Sequence, residues 1–195
     1  MQQAWAAAFL GGLGLFAGDP TLLVAVRVAF EGLAWLLCVR GNRFVAPFGV
    51  LAACALALGG HAQGPGSQFV DAVHILSAAM WAGGIVALVT LRPSEGWGGA
   101  EARTLLERFG RVAAIAFAVT ALTGVVRASE QLNDVSDLWT TPYGAVLAVK
   151  LAGVLAMLAL SAWWRRGRPM ARAEVVAVSV VVAATAVLAA FPLRA

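Results

Sequence analysis

The sequence predicts an all-α, polytopic integral membrane bundle of about seven transmembrane helices, and three observations predict it. Sixty-one per cent of the 195 residues are hydrophobic and only 12% are charged, where a soluble domain carries roughly 45–50% apolar and 25% charged residues. Runs long enough to cross a hydrocarbon layer of about 30 Å use up nearly the whole chain. The short links between them alternate in charge.

The expected spans are 3–18, 21–39, 44–61, 68–91, 108–129, 143–164 and 173–192, forming one transmembrane domain over 1–195. The first run, Ala4 to Gly18, lacks a basic leader and a small-residue cleavage site, so it is read as a short span rather than a removable signal. Only Asp19 and Pro20 separate it from the second, and Pro20 suits the first position of a helix. A re-entrant first hairpin is the alternative. In the second span Arg27 and Glu31 stand four apart, hence on one helical face, where a structural pair neutralises both charges. The link Pro93 to Leu106 carries Gly96, Gly98 and Gly99, then Glu101 and Arg103, with Glu107 just beyond. It predicts a loop leading into a short polar extension of the fifth helix. Small residues such as Gly11, Gly12, Gly14, Gly18, Gly83 and Gly84 are read as close helix contacts.

Charge places the links. Arg40 and Arg43 lie between spans two and three, Arg92, Arg103, Arg108 and Arg111 around the link from four to five, and Arg165, Arg166, Arg168 and Arg172 between six and seven. The positive-inside rule makes these links cytoplasmic. Asp19-Pro20, the uncharged stretch from Ala62 to Gln68, and the acidic link with Glu130, Asp134 and Asp137 then face outward. The amino terminus is expected inside and the carboxyl terminus outside. The net charge of +4 and pI near 10.0 come from these clusters and not from a basic face, so no nucleic-acid partner is expected. Cys38 and Cys54 lie in apolar runs and read as buried thiols rather than a disulfide framework.

An ionisable group in a membrane requires a partner or a purpose. The two histidines both fall near the outward surface: His61 ends the third span, and His74 lies about 9 Å into the fourth at 1.5 Å per residue. A short link keeps them on adjacent helices, where they can converge on one small ligand. Asp71 precedes His74 by three residues on the same face and can fix its tautomer or join it as a ligand; Trp81 continues that face one heptad deeper. Cys54 and Met80 are softer donors further in, and Met80 departs from the His74 face by about 120°. Imidazole accepts Cu(I), Cu(II) or zinc, while sulfur favours Cu(I). Lys150, about 10 Å into the sixth span, either snorkels outward or pairs with a carboxylate such as Asp71.

These residues form an ordered series: Gly60-His61-Ala62, Asp71-x-x-His74, Trp81-x-Gly83-Gly84, Arg108-Phe109-Gly110, Thr123-Gly124-Val125, Thr141-x-Tyr143-Gly144-x-x-Leu147-x-x-Lys150, and Glu174 opening the last helix. From about residue 20 onward the series resembles the copper resistance protein D family. The resemblance implies a multi-pass bacterial inner-membrane protein that handles copper ions, binding them and moving them in from the periplasmic side, with a periplasmic copper-binding protein as a possible donor. It implies His61 and His74 as metal ligands, with Asp71 beside them and Cys54 and Met80 as weaker candidates. Trp81, Thr141, Tyr143 and Lys150 are family-type positions. Relatives tend to begin with an additional helix, and this chain starts close to what looks like their second.

Two other classes stay open. A b-type haem protein would use the two histidines as axial ligands. A non-catalytic membrane scaffold would use its polar residues only to hold helices together. No phosphate-binding Gly-x-x-x-x-Gly-Lys-Ser/Thr motif occurs, so neither an enzyme nor a nucleotide-driven pump is expected.

Overall fold

The apolar runs expected after residue 20 are helices in the computed structural model, which describes residues 22–42, 44–59, 64–164 and 171–190. The expected first span, with its glycines, and His61 lie outside the described residues. The helices are α1 (Leu22–Val39), α2 (Val45–Gly59), α3 (Pro65–Thr90), α4 (Ala100–Ser129), α5 (Asp137–Thr140), α6 (Pro142–Trp164) and α7 (Ala171–Ala190). No strand occurs among the described residues. Lipid offers no hydrogen bonds, so each spanning segment must satisfy its own backbone, and helix is how a single segment does so.

Local chemistry sets the ends. Gly41 has φ 67°, and the Gly41 and Asn42 amides donate to the Cys38 and Leu37 carbonyls, both at 2.9 Å, which closes α1. The Asn42 Oδ1 then accepts from the Phe44 amide at 3.0 Å and turns the chain toward α2. Pro65 opens α3 three residues earlier than the hydropathy predicts, because proline needs no amide partner in the first turn. The polar extension before the fifth span is present: α4 begins at Ala100 and runs 30 residues, about 45 Å. The Ser94 hydroxyl donates to Glu101 at 2.9 Å and ties the preceding loop to it. The short α5 is an element the hydropathy pattern does not predict.

Four helices, α1, α3, α4 and α6, are long and apolar enough to cross a membrane; α2 and the Val176–Leu188 part of α7 are shorter apolar helices. Pairwise packing makes three antiparallel hairpins, α1–α2, α3–α4 and α6–α7. The central element is α3, which also packs on α2 and α7. The main core joins Trp81 and Ile85 of α3, Phe109 of α4, Met157 of α6 and Val181 of α7. On the outside of α4, Ile115, Leu122 and Val125 are each more than two-thirds exposed, a surface suited to hydrocarbon rather than water. The chain is a membrane-integral helical protein.

The close contact expected at Gly84 and the expected ion pair are present. A Cβ on Gly84 would collide with the Phe109 ring, and one on Gly153 would stand 2.8 Å from Val181 Cγ2. Arg27 Nε and Glu31 Oε1 are 3.8 Å apart and almost fully buried.

Candidate functional site

One stripe of α3 carries Ser67, Asp71, His74, Ser77 and Trp81 at steps of four, three, three and four residues, the spacing that keeps side chains on one helical face. That stripe faces α4. It is polar at the end that carries the acidic link, and apolar toward the arginine-rich link.

At the acidic end Arg127 of α4 collects three partners. Its Nε meets Asp71 Oδ1 at 2.7 Å, its Nη1 donates to Ser67 Oγ at 2.7 Å, and the same Nη1 pairs with Glu130. The Ser67 hydroxyl donates in turn to Glu130 Oε1 at 3.2 Å. One turn deeper, His74 Nδ1 lies 2.9 Å from Thr123 Oγ1. The ring packs against α4 where no side chain intervenes: a Cβ on Gly124 would stand 3.3 Å from its Cε1. Next, Ser77 Oγ donates to the His74 carbonyl at 3.0 Å, and Thr120 Oγ1 reaches Ser77 Oγ at 2.8 Å. Below this the polar pairs stop. Trp81, 4% exposed, meets Phe117 with ring centroids 5.1 Å apart, and the fully buried Met157 of α6 joins the same cluster. The polar corner therefore has an apolar floor.

The third wall is α6. No Cα of α6 comes within 8 Å of α3 or α4 among the described residues, so long side chains make the connection. Lys150 lies within electrostatic reach of Asp71 and of His74, and Tyr143 within reach of Arg127, Asp71 and Glu130. Thr141 sets the start of this helix. Its Oγ1 accepts from the Gly144 amide at 3.0 Å and donates to the Asp137 carbonyl at 2.7 Å, with Pro142 as the first helical residue. A Cβ at Gly144 would run into the α5 backbone. The Thr141-x-Tyr143-Gly144 motif thus caps α6 and seats α5 on it. The acidic link before it is ordered the same way: Asn133 donates to Asp137 Oδ2 at 2.9 Å, and the Ser136 amide donates to Asp134 Oδ1 at 2.8 Å. That bond holds the Asp134 carboxyl below the usual carboxylate range.

Asp71, His74, Tyr143 and Lys150 thus share one corner, with Trp81 in the floor beneath it, whereas Cys54 is a half-buried free thiol on α2. Met80 is half exposed, on the outer face of α3. His74 is deeper than expected, about 13 Å from the start of α3, because the helix begins at Pro65. The group at His74 Nδ1 is Thr123, while Asp71 is engaged by Arg127. Among the described residues no three His, Cys, Asp or Glu side chains form a ready metal cage. Arg127, Ser77 and Thr120 were not anticipated. The available signal was that Arg127 is the basic residue beside the acidic link, against the charge alternation, with Glu130 three residues on.

The model of the copper resistance protein D family matches residues 103–191, from the first turn of α4 to just beyond α7. Residues 103–191 belong to the copper resistance protein D family. The match includes Thr123, Arg127, Thr141, Tyr143 and Lys150. The chain is also similar to the copper transport protein CutJ of Bacillus subtilis (strain 168), 31% identical over 163 residues, covering 74% of this chain and 29% of that protein. The chain therefore spans under a third of the length of that curated relative. No solved structure matches the chain. This is a membrane protein of a copper-related family.

Proposed function

We propose that the chain is the copper-handling transmembrane part of a bacterial inner-membrane protein, taking copper ions in from the periplasmic side without catalysing a chemical reaction. The observation that carries this reading is the convergence of His74 and Asp71 with the α4 and α6 residues of the matched family region at one end of the bundle. The Arg-rich links mark the opposite end as cytoplasmic, so this corner faces outward, with the amino terminus in and the carboxyl terminus out. Copper is the cargo here. An imidazole nitrogen suits either copper oxidation state, and a carboxylate becomes available when Asp71 exchanges Arg127 for the metal. His61, four residues before Pro65 in the sequence, is the second imidazole of the proposed site. Lys150 and Arg127 balance the carboxylates while the corner holds no cation. A periplasmic copper-binding protein is the natural donor, and the gradient, redox state or that partner supplies the driving force.

Copper uptake into proteoliposomes, measured for the wild type, His74→Ala and the double change His61→Ala/His74→Ala, tests the assignment. Uptake falls in both variants, more in the double. Unchanged uptake and unchanged copper binding in the double variant overturn the site. A Soret band from the purified wild type moves the reading to haem.

A further inference from the structure

The hydrogen bonds around His74 determine more than its position. Thr123 Oγ1 has three polar neighbours: His74 Nδ1 at 2.9 Å, the Val119 carbonyl at 2.7 Å and the Thr120 carbonyl at 3.2 Å. A hydroxyl has one hydrogen and two acceptor positions, and a carbonyl only accepts. At 2.7 Å the Val119 contact is an O–H···O bond at its preferred length. Turning the hydroxyl hydrogen toward the imidazole would leave two oxygen atoms facing each other at that distance with nothing between them. The hydrogen therefore goes to Val119, and Thr123 can only accept from the ring. The ring nitrogen facing it must carry a proton.

We infer that Thr123 is a positioning residue that holds His74 in the Nδ1–H tautomer and so presents Nε2, with its lone pair, as the ligand nitrogen. The packing agrees. The Nδ1–Cε1 edge lies against α4, at 3.8 and 3.3 Å from where a Gly124 side chain would begin. Nε2 and Cδ2 lie more than 4 Å from that point. Gly124 keeps the ring close enough for the bond, and Thr123 decides which nitrogen remains basic. A metal-bound imidazole usually donates its other N–H to a carboxylate, a backbone carbonyl or water; here the Thr123 hydroxyl accepts it, in a role imposed by its own helix backbone, and the Thr120 carbonyl faces the same ring as a second acceptor. Asp71 is left to Arg127, so a carboxylate can be released at this corner without loosening the histidine.

The tautomer can be read without copper, by 15N NMR of histidine-labelled protein in lipid at a pH above the imidazole range. His61→Gln identifies the second histidine signal. Wild type and Thr123→Ser are expected to show the proton on Nδ1 and the bare nitrogen at Nε2, and Thr123→Val a shift of population toward Nε2–H. A wild-type proton on Nε2, or an unchanged Thr123→Val spectrum, overturns the inference. Its copper consequence rests on the function proposed above: Thr123→Val binds copper about tenfold more weakly and Thr123→Ser like the wild type. If His74→Ala does not weaken binding, the copper reading fails while the tautomer result stands. If His74→Ala weakens binding and Thr123→Val does not, the positioning role fails by itself.

Discussion

The two halves of the α3–α4 interface use the same helical stripe and hold together by opposite means. Near the acidic link, Ser67, Asp71, His74 and Ser77 meet Arg127, Glu130, Thr123 and Thr120 through hydrogen bonds and ion pairs. Toward the arginine-rich link, Trp81 meets Phe117, and Phe109 packs where Gly84 leaves room for its ring. In hydrocarbon, helices gain little from burying apolar surface, because lipid is equally apolar; close packing and interhelical polar bonds drive association instead. The apolar half is the packing solution. The polar half holds groups that can exchange one partner for another.

The largest expected effect comes from removing the charge that joins the polar half. Arg127→Leu leaves Asp71 and Glu130 without their common cation, and breaking this partly exposed cluster from one side should cost about 2–4 kcal/mol, between the exposed and fully buried limits. Thermal unfolding in detergent should show a loss of that order, and Asp71→Asn/Arg127→Leu should recover part of it. A double variant no more stable than Arg127→Leu would mean that Asp71 is not the carboxylate Arg127 neutralises. A smaller effect is expected in the packed half. Gly84→Ala pushes a methyl group at the Phe109 ring and should cost about 1–3 kcal/mol, with the His74 NMR signals unmoved. Movement of those signals would show the halves to be coupled. The smallest effect belongs to Ser77→Ala, which removes one interhelical hydrogen bond, on average about 0.6 kcal/mol in membrane double-mutant cycles. A loss several times larger would mean that the polar half acts as one network.

How much of this was readable in advance differs between the halves. The apolar half was legible: the Trp81 face, the small residue at Gly84 and the extension into α4 all follow from helical period and composition. The polar half was legible only in its α3 members. Asp71 and His74 share a face by spacing, but spacing within one helix says nothing about which neighbour faces it. By sequence alone, Lys150 either pairs with Asp71 or snorkels outward, and Asp71 either fixes His74 or joins it as a ligand. The structure keeps Lys150 within electrostatic reach of Asp71 and sets α4 against both groups, so that Arg127 engages the carboxylate and Thr123 the imidazole. Thr141 shows the same limit from the other side. The family motif singles it out without giving it a role, and the structure uses it to cap α6.

Sequence alone determined that this protein is a helical membrane bundle, where most of its helices begin and end, and that its polar side chains gather toward one end. Those properties depend on local composition and on a 3.6-residue period that acts within each segment. Which side chain answers which charge, and which nitrogen of His74 stays free, was decided only when α3, α4 and α6 came together. Hydrogen-bond direction depends on distances of a few tenths of an ångström between residues some fifty positions apart, and no single-helix pattern encodes that.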